Sequence, residues 1–118
     1  NGLVESDGMT FVLIATFYYT ELFAKLEYAE QQRIEKFYLQ LTLQGDKVGY
    51  PLAGLPFFRE KKFNGKRLYY LVYLEWNAIL LAGISDKKKQ QTMITQIKSQ
   101  LDENRIFVLH YLQQNHLI

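Results

Sequence analysis

Three strand-like runs follow one another closely in the second half of the chain: Phe57–Phe63, Arg67–Leu74 and Ala78–Ile84. Asn64-Gly65 separates the first two. That dipeptide is the strongest short-range hairpin signal, because both residues tolerate the positive φ a type I′ turn demands. Glu75-Trp76-Asn77 separates the second run from the third. Strands joined this tightly must pair antiparallel, since a parallel pair needs a crossover of about a dozen residues or more. The predicted unit is a three-stranded antiparallel meander. Ile79-Leu80-Leu81-Ala82 is apolar without alternation, so this strand is expected inside the sheet with both faces covered.

The rest of the chain has to cover that sheet. With 118 residues there is room for one domain, not two. Residues 10–18, TFVLIATFY, are β-branched, apolar and aromatic without helical period, which predicts a strand. Thr20 then stands where an N-cap belongs. Leu22, Phe23 and Leu26, then Ile34, Phe37, Tyr38 and Leu41, keep the spacing of a buried helical face. The polar stretch Glu27–Gln32 leaves open one long helix or, preferred here, a helical hairpin; Gly45 is its C-cap. Residues 46–56 hold both prolines and two glycines and read as an irregular loop. Ser85 or Asp86 is expected to cap a helix from Lys87 to Leu101, carrying Met93, Ile94 and Ile97 on one face. Asn104 is read as an interruption before a short helix within Ile106–Leu117. The predicted fold is α+β: an N-terminal strand and helical hairpin, the meander, then C-terminal helices, with the helices on one face of a small, mostly antiparallel sheet. One domain is assigned to residues 9–118, with Met9 read as the start and residues 1–8 as a leader or cloning remnant.

Composition removes several classes of function. At 48% hydrophobic and 15% aromatic the chain can build a core, so disorder is not its main state. It has no Cys, which excludes disulfides, thiolate nucleophiles, Cys-ligated zinc and iron–sulfur clusters. Its two histidines, His110 and His116, fall on different sides of a helix, so no metal site and no cofactor are expected. The apolar run near Phe11–Phe17 is too short for a membrane span, and Glu5 and Asp7 stand where a secretory signal would be basic. The expectation is a soluble cytoplasmic protein with no membrane partner. Net charge is only +2, but residues 57–101 hold nine basic and three acidic residues against five and nine elsewhere. A chain divided in this way can meet a polyanion with one side.

The ordered pieces Pro51-Leu52, Phe58-Arg59-Glu60-Lys61-Lys62, Arg67-Leu68-Tyr69-Tyr70, Ile79-Leu80-Leu81, and Lys87-Lys88 with Gln90 and Thr92 carry a likeness to a known family. Together with the strand ending Ala15-Thr16-Phe17 and the paired helices, they resemble the RelE/ParE superfamily of bacterial toxins from toxin–antitoxin modules. The resemblance covers about residues 10–101 and leaves Asp102–Ile118 unaccounted for. It implies a toxin that is a ribosome-dependent mRNA endonuclease inhibiting translation, with a cognate antitoxin, the ribosome and mRNA as partners. A homodimer or a toxin–antitoxin heterotetramer both remain open. The family also holds gyrase poisons without a nuclease site, so a non-enzymatic protein-binding toxin and a non-toxic homologue stand as alternatives. Nucleases of the family place a His, Tyr, Asp or further Arg near the end of the last strand or in the C-terminal segment. Here Gly83-Ile84-Ser85-Asp86 is followed by lysines, and no catalytic His is matched.

The chemistry implied by the resemblance assigns roles to residues. When a 2′-hydroxyl attacks a phosphate, negative charge gathers on the five-coordinate transition state, and fixed cations can stabilise it without a metal. Arg67, at the Arg of an R-x-x-Y motif, is the candidate phosphate clamp because a guanidinium can grip two oxygens at once. Glu60 is the candidate general base and Tyr70 the first candidate aromatic. Arg59, Lys61, Lys62, Lys66, Lys87 and Lys88 are the candidate RNA-binding cations. Alternation puts Arg59 and Lys61 on one strand face and Glu60 and Lys62 on the other, without saying which lines a groove. Each has a plainer alternative: Arg67 as a surface cation or ion pair with Glu60, Glu60 as a partner for Lys62 or Arg67, the lysines as a solvated face, and Tyr70 as core.

Overall fold

The computed structural model describes residues 10–118, so the reading of residues 1–8 and Met9 falls outside the described residues. The elements are β1 (Val12–Ala15), α1 (Phe17–Ala24), α2 (Tyr28–Gln44), β2 (Tyr50–Leu52), β3 (Leu55–Phe63), β4 (Lys66–Tyr73), β5 (Ala78–Asp86), α3 (Gln90–Ser99) and α4 (Leu101–Gln114). A single 3-10 turn, Leu74–Trp76, joins β4 to β5. The predicted α+β architecture is present, and the meander β3–β4–β5 is its centre. Asn64 and Gly65 take φ of 46° and 74°, the positive values a type I′ hairpin needs.

The sheet has five strands in the order β1-β5-β4-β3-β2. β1 pairs parallel with β5, Val12 opposite Ala78 and Ala15 opposite Leu81, and every other pair is antiparallel. The connection between these parallel partners is long, comprising the helical hairpin and strands β2, β3 and β4, so it exceeds the dozen or so residues a parallel pair requires. Residues 46–56 are not wholly irregular: Tyr50–Leu52 adds an edge strand against β3.

Helices cover both faces of the sheet, not one as the sequence suggested. One core joins Phe58, Tyr69, Leu71 and Leu80 to Met93 and Ile97 of α3 and to Val108 and Leu112 of α4. The other joins Leu68, Tyr70, Val72, Ile79 and Leu81 to Tyr19 of α1 and to Ile34, Phe37 and Leu41 of α2. The reason is in β4 and β5, which are apolar on both sides. Every residue from Arg67 to Tyr73 and from Ala78 to Ser85 is buried. A strand with two apolar faces needs two covering layers.

Helix boundaries differ from the sequence reading where a polar side chain captures the chain early. Thr16, not Thr20, caps α1: its Oγ1 accepts from the Tyr19 N–H at 2.9 Å. The hairpin turn closes before Tyr28, where Glu27 and Glu30 form a reciprocal capping box that starts α2. β5 runs on through Ser85 and Asp86, and Asp86 Oδ1 accepts from the Lys89 N–H at 3.0 Å in the turn before α3. Asn104 interrupts nothing. It lies inside α4, its N–H bonded to the Gln100 carbonyl at 2.9 Å, and the break comes at Gln100 between α3 and α4.

Gly45 does cap α2, but with ordinary helical φ. Its lack of a side chain serves close approach: a Cβ there would collide with Ile79 Cδ1 and lie 2.7 Å from the Leu41 carbonyl oxygen. Gly45→Ala is therefore expected to cost ~1–3 kcal/mol through overpacking, read as a lowered urea midpoint with unchanged slope.

Candidate phosphate-binding site

The strand register decides which chemically useful side chains meet. Lys62 lies opposite Arg67, which lies opposite Ser85; Glu60 lies opposite Tyr69, which lies opposite Gly83. Residues directly opposite share a face. Tyr69 belongs to the core beneath α3 and α4, so Glu60, Lys62, Arg67 and Ser85 start from that face. Between Tyr69 and Tyr70 the β4–β5 register shifts by one residue of β5. This bulge reverses the parity of β5 beyond Ala82, and so Ser85 rather than Ile84 arrives beside Tyr69.

Arg67 is only 8% exposed. Its Nη1 makes one long bond, 3.4 Å, to the Gly65 carbonyl, and its Nε is buried without any partner among the described residues. Glu60, 4% exposed, accepts from Gln90 Nε2 of α3 at 3.1 Å. No ion pair joins Glu60 to Arg67 or to Lys62 among the described residues. The Tyr69 and Ser85 hydroxyls are 2.8 Å apart, and Ser85 Oγ donates to the Asp86 carbonyl at 2.9 Å. Since Ser85 has one hydroxyl proton, Tyr69 must donate to Ser85, which leaves the phenol oxygen free to accept. Burial pushes the Tyr69 phenol up, with Glu60 and Asp86 adding to the rise and Ser85 and Arg67 opposing it. Lys87, Lys88 and Lys89 follow at the end of β5, all exposed.

The structure separates the other sequence candidates from this group. Tyr70 belongs to the opposite core, edge-on to Phe37 at 6.2 Å, and its hydroxyl donates to the Val48 carbonyl at 2.7 Å. Burial pushes its phenol up to about 12. Arg59 serves the same loop, donating to the carbonyls of Val48, Pro56 and Gly49 at 2.7, 2.9 and 3.4 Å. Lys61 stands over the Phe37 ring at 5.1 Å. Lys66 is committed to Glu30 of α2 at 2.8 Å. The residues that sequence reading missed are Ser85, seen there only as a helix cap, Gln90, and Tyr69 as a neighbour of Arg67. Tyr69 was within reach, because it is two residues from Arg67 on one strand.

What this arrangement can do is hold an anion. A buried guanidinium with unspent donors, flanked by Lys62 and the Lys87–Lys89 run, is a site for a group carrying several acceptor oxygens. The carboxylate of Glu60 beside it supplies a proton acceptor.

No protein-family profile and no curated protein matches the sequence. Solved structures do match. A free double arginine-to-alanine mutant of Escherichia coli toxin RelE superposes with a TM-score of 0.62 at 15% identity, covering 75% of this chain and 98% of that one. This chain has the RelE fold. The RelE mutant bound to an antitoxin RelB peptide gives a TM-score of 0.62 at 16% identity, covering 78% and 94%. A Mycobacterium tuberculosis RelBE toxin–antitoxin complex gives 0.59 at 15%, covering 70% and 98%. The α+β fold is thus the one the family resemblance implied, while identities this low speak to fold alone.

Proposed function

We propose that this chain is the toxin of a toxin–antitoxin module and acts as a ribosome-dependent mRNA endonuclease. The observation that carries the reading is Arg67: a guanidinium 8% exposed, with a buried Nε that no described residue satisfies. Buried polar atoms are almost always paired, so an unpaired one on a cation calls for an anion from outside. In this reading Arg67 holds the scissile phosphate and stabilises the charge that develops on it. Glu60 accepts the proton of the attacking 2′-hydroxyl, and Gln90 keeps its carboxylate oriented. Lys62, Lys87 and Lys88 draw in the RNA backbone. Tyr69 replaces Tyr70 as the aromatic of the site, while Tyr70, Arg59 and Lys61 support the fold on the other face. The RelE fold supports an antitoxin partner, and an acidic segment would neutralise the lysine run.

A second reading, a non-enzymatic toxin that binds a protein target, draws on the last strand: it ends Ser85-Asp86, with no histidine or arginine there. Induced expression in a bacterial host with mapping of mRNA 5′ ends separates the two. The expected result is growth arrest with new cuts in translated mRNA, abolished in Arg67→Ala and retained in Tyr70→Phe. Arrest without cuts supports the protein-target reading, and no arrest removes toxicity from the proposal.

A further inference from the structure

Glu60 and Arg67 carry opposite charges on one face of the β3–β4 pair, and both are buried. Glu60 lies opposite Tyr69 and Arg67 opposite Lys62, so the two are diagonal neighbours, a separation of roughly 7–8 Å that long side chains span. Both also act on the same phenol, Glu60 pushing the Tyr69 hydroxyl up and Arg67 pulling it down. Buried charges this close ordinarily pair, because each has given up water and the other is the nearest compensation. Here they do not. No ion pair joins them, and Arg67 Nε has no hydrogen-bond partner, among the described residues.

Each side chain is engaged elsewhere. Arg67 Nη1 donates to the Gly65 carbonyl in the hairpin turn at 3.4 Å. Glu60 is held from α3: its Oε1 accepts from Gln90 Nε2 at 3.1 Å, the one hydrogen bond its carboxylate makes among the described residues. A carboxylate accepts only, so the Gln90 amide must present its NH₂ to it. Gln90 is itself fixed in place. It is the first residue of α3, and the turn before it is fastened by the Lys89 N–H on Asp86 Oδ1 at 3.0 Å. Met93 and Ile97 anchor the same helix in the core.

We propose that Gln90 is the positioning residue that keeps Arg67 free. By holding the Glu60 carboxylate on α3 it prevents an internal ion pair that would occupy the guanidinium in place of an incoming anion. This role rests on the reading of Arg67 as an anion site and needs none of the nuclease chemistry. Without Gln90 the carboxylate turns to the nearest unmet donor. Lys62 shares the face but is exposed and keeps its water, whereas Arg67 is buried with an Nε to satisfy, so the guanidinium gains more.

The test is titration of the whole chain with inorganic phosphate, followed by NMR of the Arg67 Nε–H signal, which its loss in Arg67→Lys assigns. In wild type that signal is expected to move as the site fills. Gln90→Met keeps the side-chain length and removes the donor. It should show the Arg67 signal already displaced without phosphate, and bind phosphate about tenfold more weakly because most molecules hold the internal pair. Glu60→Gln alone removes a negative charge near the site and should tighten phosphate by no more than about threefold. Added to Gln90→Met, it should restore both the affinity and the signal position. Gln90→Ala serves as a second variant, and an unchanged urea midpoint shows the fold intact. Equal phosphate affinity in wild type and Gln90→Met, with an unmoved Arg67 signal, overturns the role. So does an effect of Glu60→Gln that is the same in both backgrounds, since a merely structural glutamine would not couple to the carboxylate. A signal displaced by Gln90→Met and restored by Glu60→Gln, in a chain that ignores phosphate, upholds the role of Gln90 and removes the anion reading of Arg67.

Discussion

Glu30→Ala should lower the unfolding free energy by about 3 kcal/mol, the largest loss expected from any single polar change in this fold. The carboxylate is 3% exposed and holds three groups at once. Oε1 accepts from Lys66 Nζ at 2.8 Å and from the Glu27 N–H at 3.3 Å, and Oε2 accepts from Asn64 Nδ2 at 3.0 Å. One side chain thus starts α2 and fastens the Asn64-Gly65 turn of the β3–β4 hairpin to it. Each charged hydrogen bond contributes ~1.5–3 kcal/mol, offset in part because the freed Lys66, about a third exposed, can turn to water. Glu30→Gln keeps an acceptor for Asn64 and should lose roughly half as much. The bond from Lys66, ahead of those from Asn64 and Glu27, holds the Glu30 carboxyl below the usual glutamate range despite its burial. A depressed folded pKa means the stabilisation is complete above the ordinary glutamate value and is lost as pH falls through the folded one. Urea midpoints should therefore separate wild type from Glu30→Gln near neutral pH and converge as pH falls below the usual glutamate range. Midpoints that stay equally far apart across that range would show the gap to be packing rather than charge.

The sequence was most legible where local chemistry settles geometry by itself. Asn64-Gly65 announces the hairpin, and once it is placed, two-residue alternation carries Lys62 opposite Arg67 and Glu60 opposite Tyr69. The same alternation parts Arg67 from Tyr70, which an R-x-x-Y reading treats as neighbours. Other features depend on long-range pairing. The parallel partnership of β1 with β5, and with it the placement of α1 and α2 on the second face, has no local signature. The bulge opposite Tyr69 and Tyr70 has none either, and it alone selects Ser85 over Ile84 for the site. The lysines read as one basic block are divided by the pleat and by partners distant in sequence, Lys66 going to Glu30 and Lys61 to Phe37.

Removing Arg67 should separate function from stability. In a reconstituted reaction on mRNA-programmed ribosomes, Arg67→Ala is expected to slow cleavage ~10²–10³-fold, the effect of deleting one preorganised donor to a developing oxyanion. Arg67→Lys keeps the charge but not the planar fork, and should recover no more than about a tenth of the wild-type rate. Stability should move the other way. The guanidinium is buried with a single 3.4 Å bond and an unpaired Nε, so it gains little from its surroundings for the water it gives up. Arg67→Met, apolar and of similar length, should be neutral or stabilising by ~1 kcal/mol in urea unfolding. A structural arginine gives the reverse pattern: a loss of ~2 kcal/mol or more on substitution and unchanged cleavage per folded molecule. That result would remove Arg67 from the chemistry. The expected pattern, activity lost while stability holds or rises, identifies a cation kept in place for an anion that arrives from outside the fold.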